Sequence, residues 1–75
     1  MGSYGDTIRK LRVAANIKQG DLAEHMDLRQ TDLCESELGN REMTESEYIK
    51  ARQALLDLIA ERDEAYAQAK AEVAG

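Results

Sequence analysis

Few side chains in this 75-residue sequence could make or break bonds, and none is arranged for it. His25 is the single histidine, and no cysteine or second histidine stands near it at metal-ligand spacing, so no metal site is expected. Cys34 is the single cysteine, which excludes an intrachain disulfide. It reads as a plain small side chain, the sharper alternative being a thiol whose oxidation weakens binding nearby. No Ser/His/Asp set, glycine-rich phosphate loop or convergent carboxylate pair occurs, and few apolar residues are left to wall a pocket. The sequence therefore reads as that of a non-enzyme, with no cofactor and no metal. The polar groups that hydrogen-bond rather than react gather in Gln19–Leu38, QGDLAEHMDLRQTDLCESEL.

The elements that must position these groups follow from apolar spacing. Leu22, Ala23 and Met26, then Leu28, then Leu33 give two short helices whose inner faces meet, joined by a turn around Asp27–Arg29. Ala23 is small where the second of them crosses the first. Two helices locked at a steep angle by a turn of three or four residues make a helix-turn-helix, whose second helix commonly enters the DNA major groove. Here the second helix runs from about Gln30 to Leu38, where Gly39-Asn40 supplies a left-handed stop. It carries Asp32, Glu35 and Glu37 and no basic residue. The helix before it begins near Lys18 or Gln19 and runs to Met26. Gly20 in its first turn costs about 0.8–1 kcal/mol relative to Ala, which a close backbone approach would explain. Asp27 sits at the turn, where a positive φ is often needed.

Upstream, residues 1–5 contain two glycines and read as a flexible lead-in. A first helix is expected from Asp6 or Thr7 to Ala15, with Asp6 as N-cap and Ile8, Leu11 and Ala15 as its buried face. Arg9, Lys10 and Arg12 fall on its outer faces; Asn16 ends it and Ile17 staples the connection to the core. Downstream, residues 39–43 form a short loop. Thr44 and Glu47 then have capping-box spacing. From there to Val73 no Gly or Pro intervenes, which predicts a helix of roughly 30 residues and about 45 Å. A compact domain of this length has a radius of gyration of only about 11 Å, so the helix outruns its own domain. Tyr48, Ala51, Leu55, Leu58 and Ile59 suit packing on the first three helices. Leu55, Ile59, Arg62, Tyr66, Ala69 and Val73 continue with the alternation of a coiled-coil seam. Together with Leu56 on another side, they are the expected homodimer interface; an Ala-rich, frayed tail is the alternative.

The expected architecture is all-α: a compact four- to five-helix domain with a helix-turn-helix and a long last helix able to pair two copies. Residues 1–43 form the helix-turn-helix region, and 44–75 the long helix that packs on it and extends beyond. One small domain of this size has a marginal core. The N-terminus is polar and lacks the apolar run of a signal peptide, and no segment nears the roughly 20 apolar residues that span a bilayer. In MGSYGD, Asp6 occupies the Ser/Thr position of a myristoylation start, which argues against lipidation. A cytoplasmic setting is expected. The formal charge is −5. Both regions are acidic, with six basic and eight acidic residues before Thr44, and four and seven from there on. That balance opposes non-specific affinity for nucleic acid, and with three Tyr and no Trp or Phe a base-stacking surface is not expected.

IRKLRVAANIKQGDLAEHMDL, then Leu33, then ELGNR resembles the Cro/C1-type (XRE) family of helix-turn-helix regulators over about residues 6–55. The likeness rests on the IxxLR first helix, the Gln opening the second, the LA pair inside it and the Gly ending the third. The family implies sequence-specific DNA-binding repressors or activators, many from phages, plasmids and toxin–antitoxin loci. By position, the resemblance gives Gln19 the anchoring of a helix N-terminus to phosphate. It gives Gln30 and Thr31 the base-edge readers, with Glu35 a turn further along, and Arg41 a backbone contact. Their chemistry fits: Gln can bond adenine at N6 and N7, Thr can touch a thymine methyl, and Glu can accept from cytosine N4. Arg29 can hold a phosphate or reach a guanine. Ser36 departs from the family, which places a branched apolar residue there, and Leu38 stands where Asn is common. Either the third helix packs in a shifted register or Leu38 replaces the missing contact. Asp32 can serve the helix dipole, and Glu37 matches a family Glu.

The leading expectation is thus a homodimeric, repressor-like regulator that binds double-stranded DNA at a pseudo-palindromic operator. The alternative is an acidic protein-interaction module of the same fold, such as an antitoxin, anti-repressor or adaptor, that does not bind DNA itself.

Overall fold

A computed structural model describes residues 3–74; the part of the expected lead-in at Met1 and Gly2 lies outside the described residues. The described residues hold four helices and no strand: α1 (Tyr4–Ala14), α2 (Gln19–His25), α3 (Gln30–Leu38) and α4 (Glu45–Ala74). The first three helices each stop at a left-handed residue: Asn16 at φ 57°, Asp27 at φ 55° and Gly39 at φ 86°. Asn and Asp tolerate that conformation better than other side chains, and Gly has no penalty there. α4 opens on the expected capping box. The Glu47 N–H donates to Thr44 Oγ1 at 3.1 Å, and the Thr44 N–H donates to Glu47 Oε1 at 3.0 Å.

The start of the chain departs from expectation. α1 begins at Tyr4, capped by Ser3, whose Oγ accepts from the Asp6 N–H at 3.1 Å. Asp6 lies inside the first turn and pairs with Lys10 instead. Gly5 is buried rather than part of a loose lead-in. A Cβ on it would lie 1.9 Å from the Ser36 carbonyl oxygen, so α1 crosses α3 with backbone against backbone. That contact accounts for the glycine at position 5, because any larger residue there would meet the α3 backbone. Ser36 is buried beneath α1, and its hydroxyl donates to the Asp32 carbonyl at 3.0 Å. The Ser36 hydroxyl also accepts from the Arg41 guanidinium at 2.9 Å, a polar contact that a branched apolar side chain could not make. Leu38 does not stand in for such a side chain, being 64% exposed.

The inward stripe of α1 is also shifted. Leu11 is 44% exposed, whereas the Arg12 side chain turns inward toward Glu37. Ile8, Leu22, Ala23, Met26 and Leu33 form the centre of the core, which α4 closes with Ala51, Ala54 and Leu55. Leu55, expected in a seam between chains, is buried in the core of its own chain. Arg62 is engaged as well, its guanidinium donating to the Ala15 carbonyl at the end of α1. From Ala60 to Ala74 every residue of α4 is exposed. The molecule measures 49 Å along its longest axis against 24 and 18 Å across, and this bare half of α4 is what lengthens it.

Candidate nucleic-acid interface

The α2–turn–α3 unit is tied to α1 by an ion pair. Arg12 Nε and Nη2 donate to the two Glu37 carboxylate oxygens, each at 2.9 Å, and Nη1 donates to the Ile17 carbonyl at 2.9 Å. The fork ties α1, the α1–α2 connection and α3 together, with the Glu37 side chain only 3% exposed. Paired guanidinium and carboxylate groups of this geometry are strong and directional.

Gln19 extends this network to the surface. Its Nε2 donates to Glu37 Oε1 at 3.2 Å, and its Oε1 accepts from Gln30 Nε2 at a long 3.5 Å. Two glutamines, each opening a helix, are thereby set side by side. Gly20 makes room for them, since a Cβ there would lie 3.3 Å from Gln30 Oε1. The approach of a side chain, not of backbone, accounts for a glycine in this first turn.

Around this pair, Gln30 and Thr31 are exposed at the start of α3. Arg29 precedes them, its side chain 88% exposed and its Nε 3.4 Å from Asp32 Oδ2. So open a pair contributes little stability and leaves the guanidinium free to change partners. Gln19, Arg29, Gln30 and Thr31 thus lie together at one end of the unit. Glu35 is half-buried one turn on, its carbonyl accepting from the Asn40 and Arg41 N–H groups beyond the helix.

Arg41 is differently placed. Its guanidinium donates to Glu47 Oε2 at 2.8 Å and to Ser36 Oγ at 2.9 Å. The hydrogen bond to Glu47 raises the Arg41 pKa above its ordinary value. In return, the bond from Arg41 and then the Thr44 N–H hold the Glu47 carboxyl below the usual carboxylate range. Glu47 thus caps α4 and binds Arg41 at once, a double role that capping-box spacing alone did not signal.

His25 Nε2 lies 3.9 Å from Asp57 and 4.0 Å from Glu61, so the outer face of α2 meets the acidic flank of α4. Cys34 is half-buried. Among the described residues no cluster of three or more His, Cys, Asp or Glu could hold a metal ion, and no helix is long and apolar enough to cross a membrane. Comparison with protein-family models, curated proteins and solved structures yields no match.

Proposed function

We propose that the protein is a sequence-specific double-stranded DNA-binding regulator of transcription, acting in the cytoplasm as a pair of copies. The observation that carries the reading is the Gln19–Gln30 pair, anchored through Glu37 to Arg12 and opening onto Thr31 and the exposed Arg29. Gln19, anchored by Glu37, loses less freedom on binding a ligand than a free amide would, and the exposed Gln30 stands beside it. A Gln exposed at the start of α3 can present donor and acceptor to adenine, while Arg29 can meet phosphate or guanine. The resemblance to Cro/C1-type regulators supports the same reading. Two third helices in successive major grooves, about 34 Å apart, would block or recruit at a promoter, with a repressor-like action favoured.

Binding-site selection from random duplex DNA tests this directly. A pseudo-palindromic site should emerge, and Gln30→Ala should relax its sequence without abolishing binding. Arg29→Ala should weaken all sites similarly and flatten the salt dependence by about one ion. No enrichment even at low salt would overturn the reading.

A second reading is favoured by the far end of α3, where Leu38 is exposed beyond the half-buried Glu35 and Arg41 is held by Glu47. This acidic and apolar end suits a protein partner, as in an antitoxin, anti-repressor or adaptor. Charge reversal at Asp32 and Glu35 would then abolish activity while reversal at Arg29 would not.

A further inference from the structure

Among the described residues, one continuous stripe of α4 is left largely exposed by its own chain. Residues 45, 49, 52, 56, 59, 63, 66 and 70 follow strict 4-3 alternation over about 38 Å of helix. Ile49, Leu56 and Tyr66 are large apolar residues 60%, 61% and 69% exposed, and Ile59 between them is half-buried. The intervening positions are charged: Glu45, Arg52, Asp63 and Lys70, all exposed. Among the described residues none of these four takes part in an ion pair, and Arg52 lies only over the Tyr48 ring, at 5.7 Å. The stripe runs beside the seam that Leu55 and Arg62 would have joined, and shares Ile59 and Tyr66 with it.

We infer that a second copy of this chain covers the stripe, with the two α4 helices antiparallel and the two-fold axis between Leu56 and Ile59. This inference rests on the pairing of copies in the reading above but not on DNA binding. Antiparallel pairing about that point sets Leu56 against the partner copy's Ile59 and Ile49 against its Tyr66. It also sets Arg52 against Asp63 and Glu45 against Lys70. Every layer is then apolar on apolar or of opposite charge, and the symmetry repeats each one.

Other registers fail on charge. Sliding one copy by a heptad places Arg52 against Lys70 and Ile59 against Asp63. Sliding it the other way places Glu45 against Asp63 and Arg52 against Leu56. A parallel, in-register pair sets each charge against itself, and like charges directly opposed are destabilising. The chosen register also lays the bare half of each α4 along the packed half of the other. A shallow groove lined by Leu11, Arg52, Leu55, Leu56 and Ile59 lies at its centre, where the partner's apolar pair would enter. This gives the exposed Leu11 a covering.

Sedimentation equilibrium of the full chain and a charge swap test the register. The wild-type chain should sediment at twice its 8.4 kDa. Arg52→Glu and Asp63→Arg should each weaken the dimer by roughly tenfold or more, and the double variant should restore it. Restoration requires residue 52 of one copy to face residue 63 of the other, which a parallel pair cannot provide. As a second readout in a Cys34→Ser background, mixed Arg52→Cys and Asp63→Cys chains should cross-link to each other and not to themselves. A wild-type monomer at all concentrations, an unaffected dimer in the single variants, or a double variant that stays monomeric would overturn the inference. Circular dichroism confirms that each variant is folded. Enrichment of a half-site depends on Gln30, outside the stripe, whether or not copies pair, so failure of the dimer leaves a half-site signal and failure of DNA binding leaves the dimer.

Discussion

The residue on which the interior depends most is the charged Arg12. Its guanidinium and the Glu37 carboxylate are both largely removed from water, so deleting either strands the other. Arg12→Ala or Glu37→Ala should each cost about 3–5 kcal/mol, a large part of the roughly 4–11 kcal/mol available to a domain of this length. Urea denaturation measures it. Replacing both at once, Arg12→Met with Glu37→Leu, should cost less than the sum of the two single changes, because no charge is left stranded. The Arg41–Glu47 pair acts on pH instead. Because the folded Glu47 pKa is depressed, its contribution is complete above the ordinary carboxylate range and is lost as pH falls through the folded value. Glu47→Gln should therefore lower stability at neutral pH and flatten the acid limb of a stability-against-pH curve below about pH 4–5. Residues whose structure depends on near neighbours were legible in the sequence: Asn16, Asp27, Gly39 and the Thr44–Glu47 box. The inward face of α1 was not. Apolar spacing favours Leu11 over Arg12, and only Glu37, 25 residues away, makes the arginine the inward residue.

Among elements, the crossing of α1 and α3 decides the fold's detail, and it rests on Gly5 and Ser36. Helix propensity alone predicts that Gly5→Ala stabilises α1 by about 1 kcal/mol. The 1.9 Å approach to the Ser36 carbonyl predicts the opposite sign, since backbone cannot yield as a flexible side chain does. Gly5→Ala should lower the melting temperature, by an amount corresponding to about 1–3 kcal/mol. A melting temperature that rises would show that the helices are not in backbone contact. Gly20→Ala belongs to a milder class, because the 3.3 Å neighbour is the end of the Gln30 side chain. Its fold should survive while Gln30 turns away from Gln19, so on the proposed DNA-binding function loss of site selectivity without loss of stability is the expected result. The sequence marked Ser36 as unusual and Gly20 as needing a close neighbour, yet named neither partner. Gly5 and Gln30 lie 31 and 10 residues away along the chain, and a single sequence read by period carries no record of which helix crosses which.

At the scale of the whole molecule, α4 is two objects in one helix. Residues up to about Leu58 close the core, whereas every residue of Ala60–Ala74 is exposed, with Glu61 and Arg62 reaching back to His25 and the end of α1. A helix of some 15 residues is marginal in water without a packing surface, so the second half requires a reason to remain helical. Its composition, free of Gly and Pro, supplies part of one, and the partner copy proposed here supplies the rest. Truncation after Arg62 separates the two halves. It keeps the Arg62 bond to Ala15 and the whole buried core, but removes Asp63, Tyr66 and Lys70 from the stripe. The shortened chain should still fold, with its melting temperature independent of concentration. The full chain's should rise with concentration, as mass action requires when only folded chains associate. If DNA is read at the N-terminal end of α3, the truncated monomer should hold a half-site weakly and lose the steep preference for paired half-sites at fixed spacing. An electrophoretic shift on single and paired half-sites distinguishes these outcomes. Equal affinity of the full chain for both would mean that α4 does not pair the reading helices, whatever else it pairs.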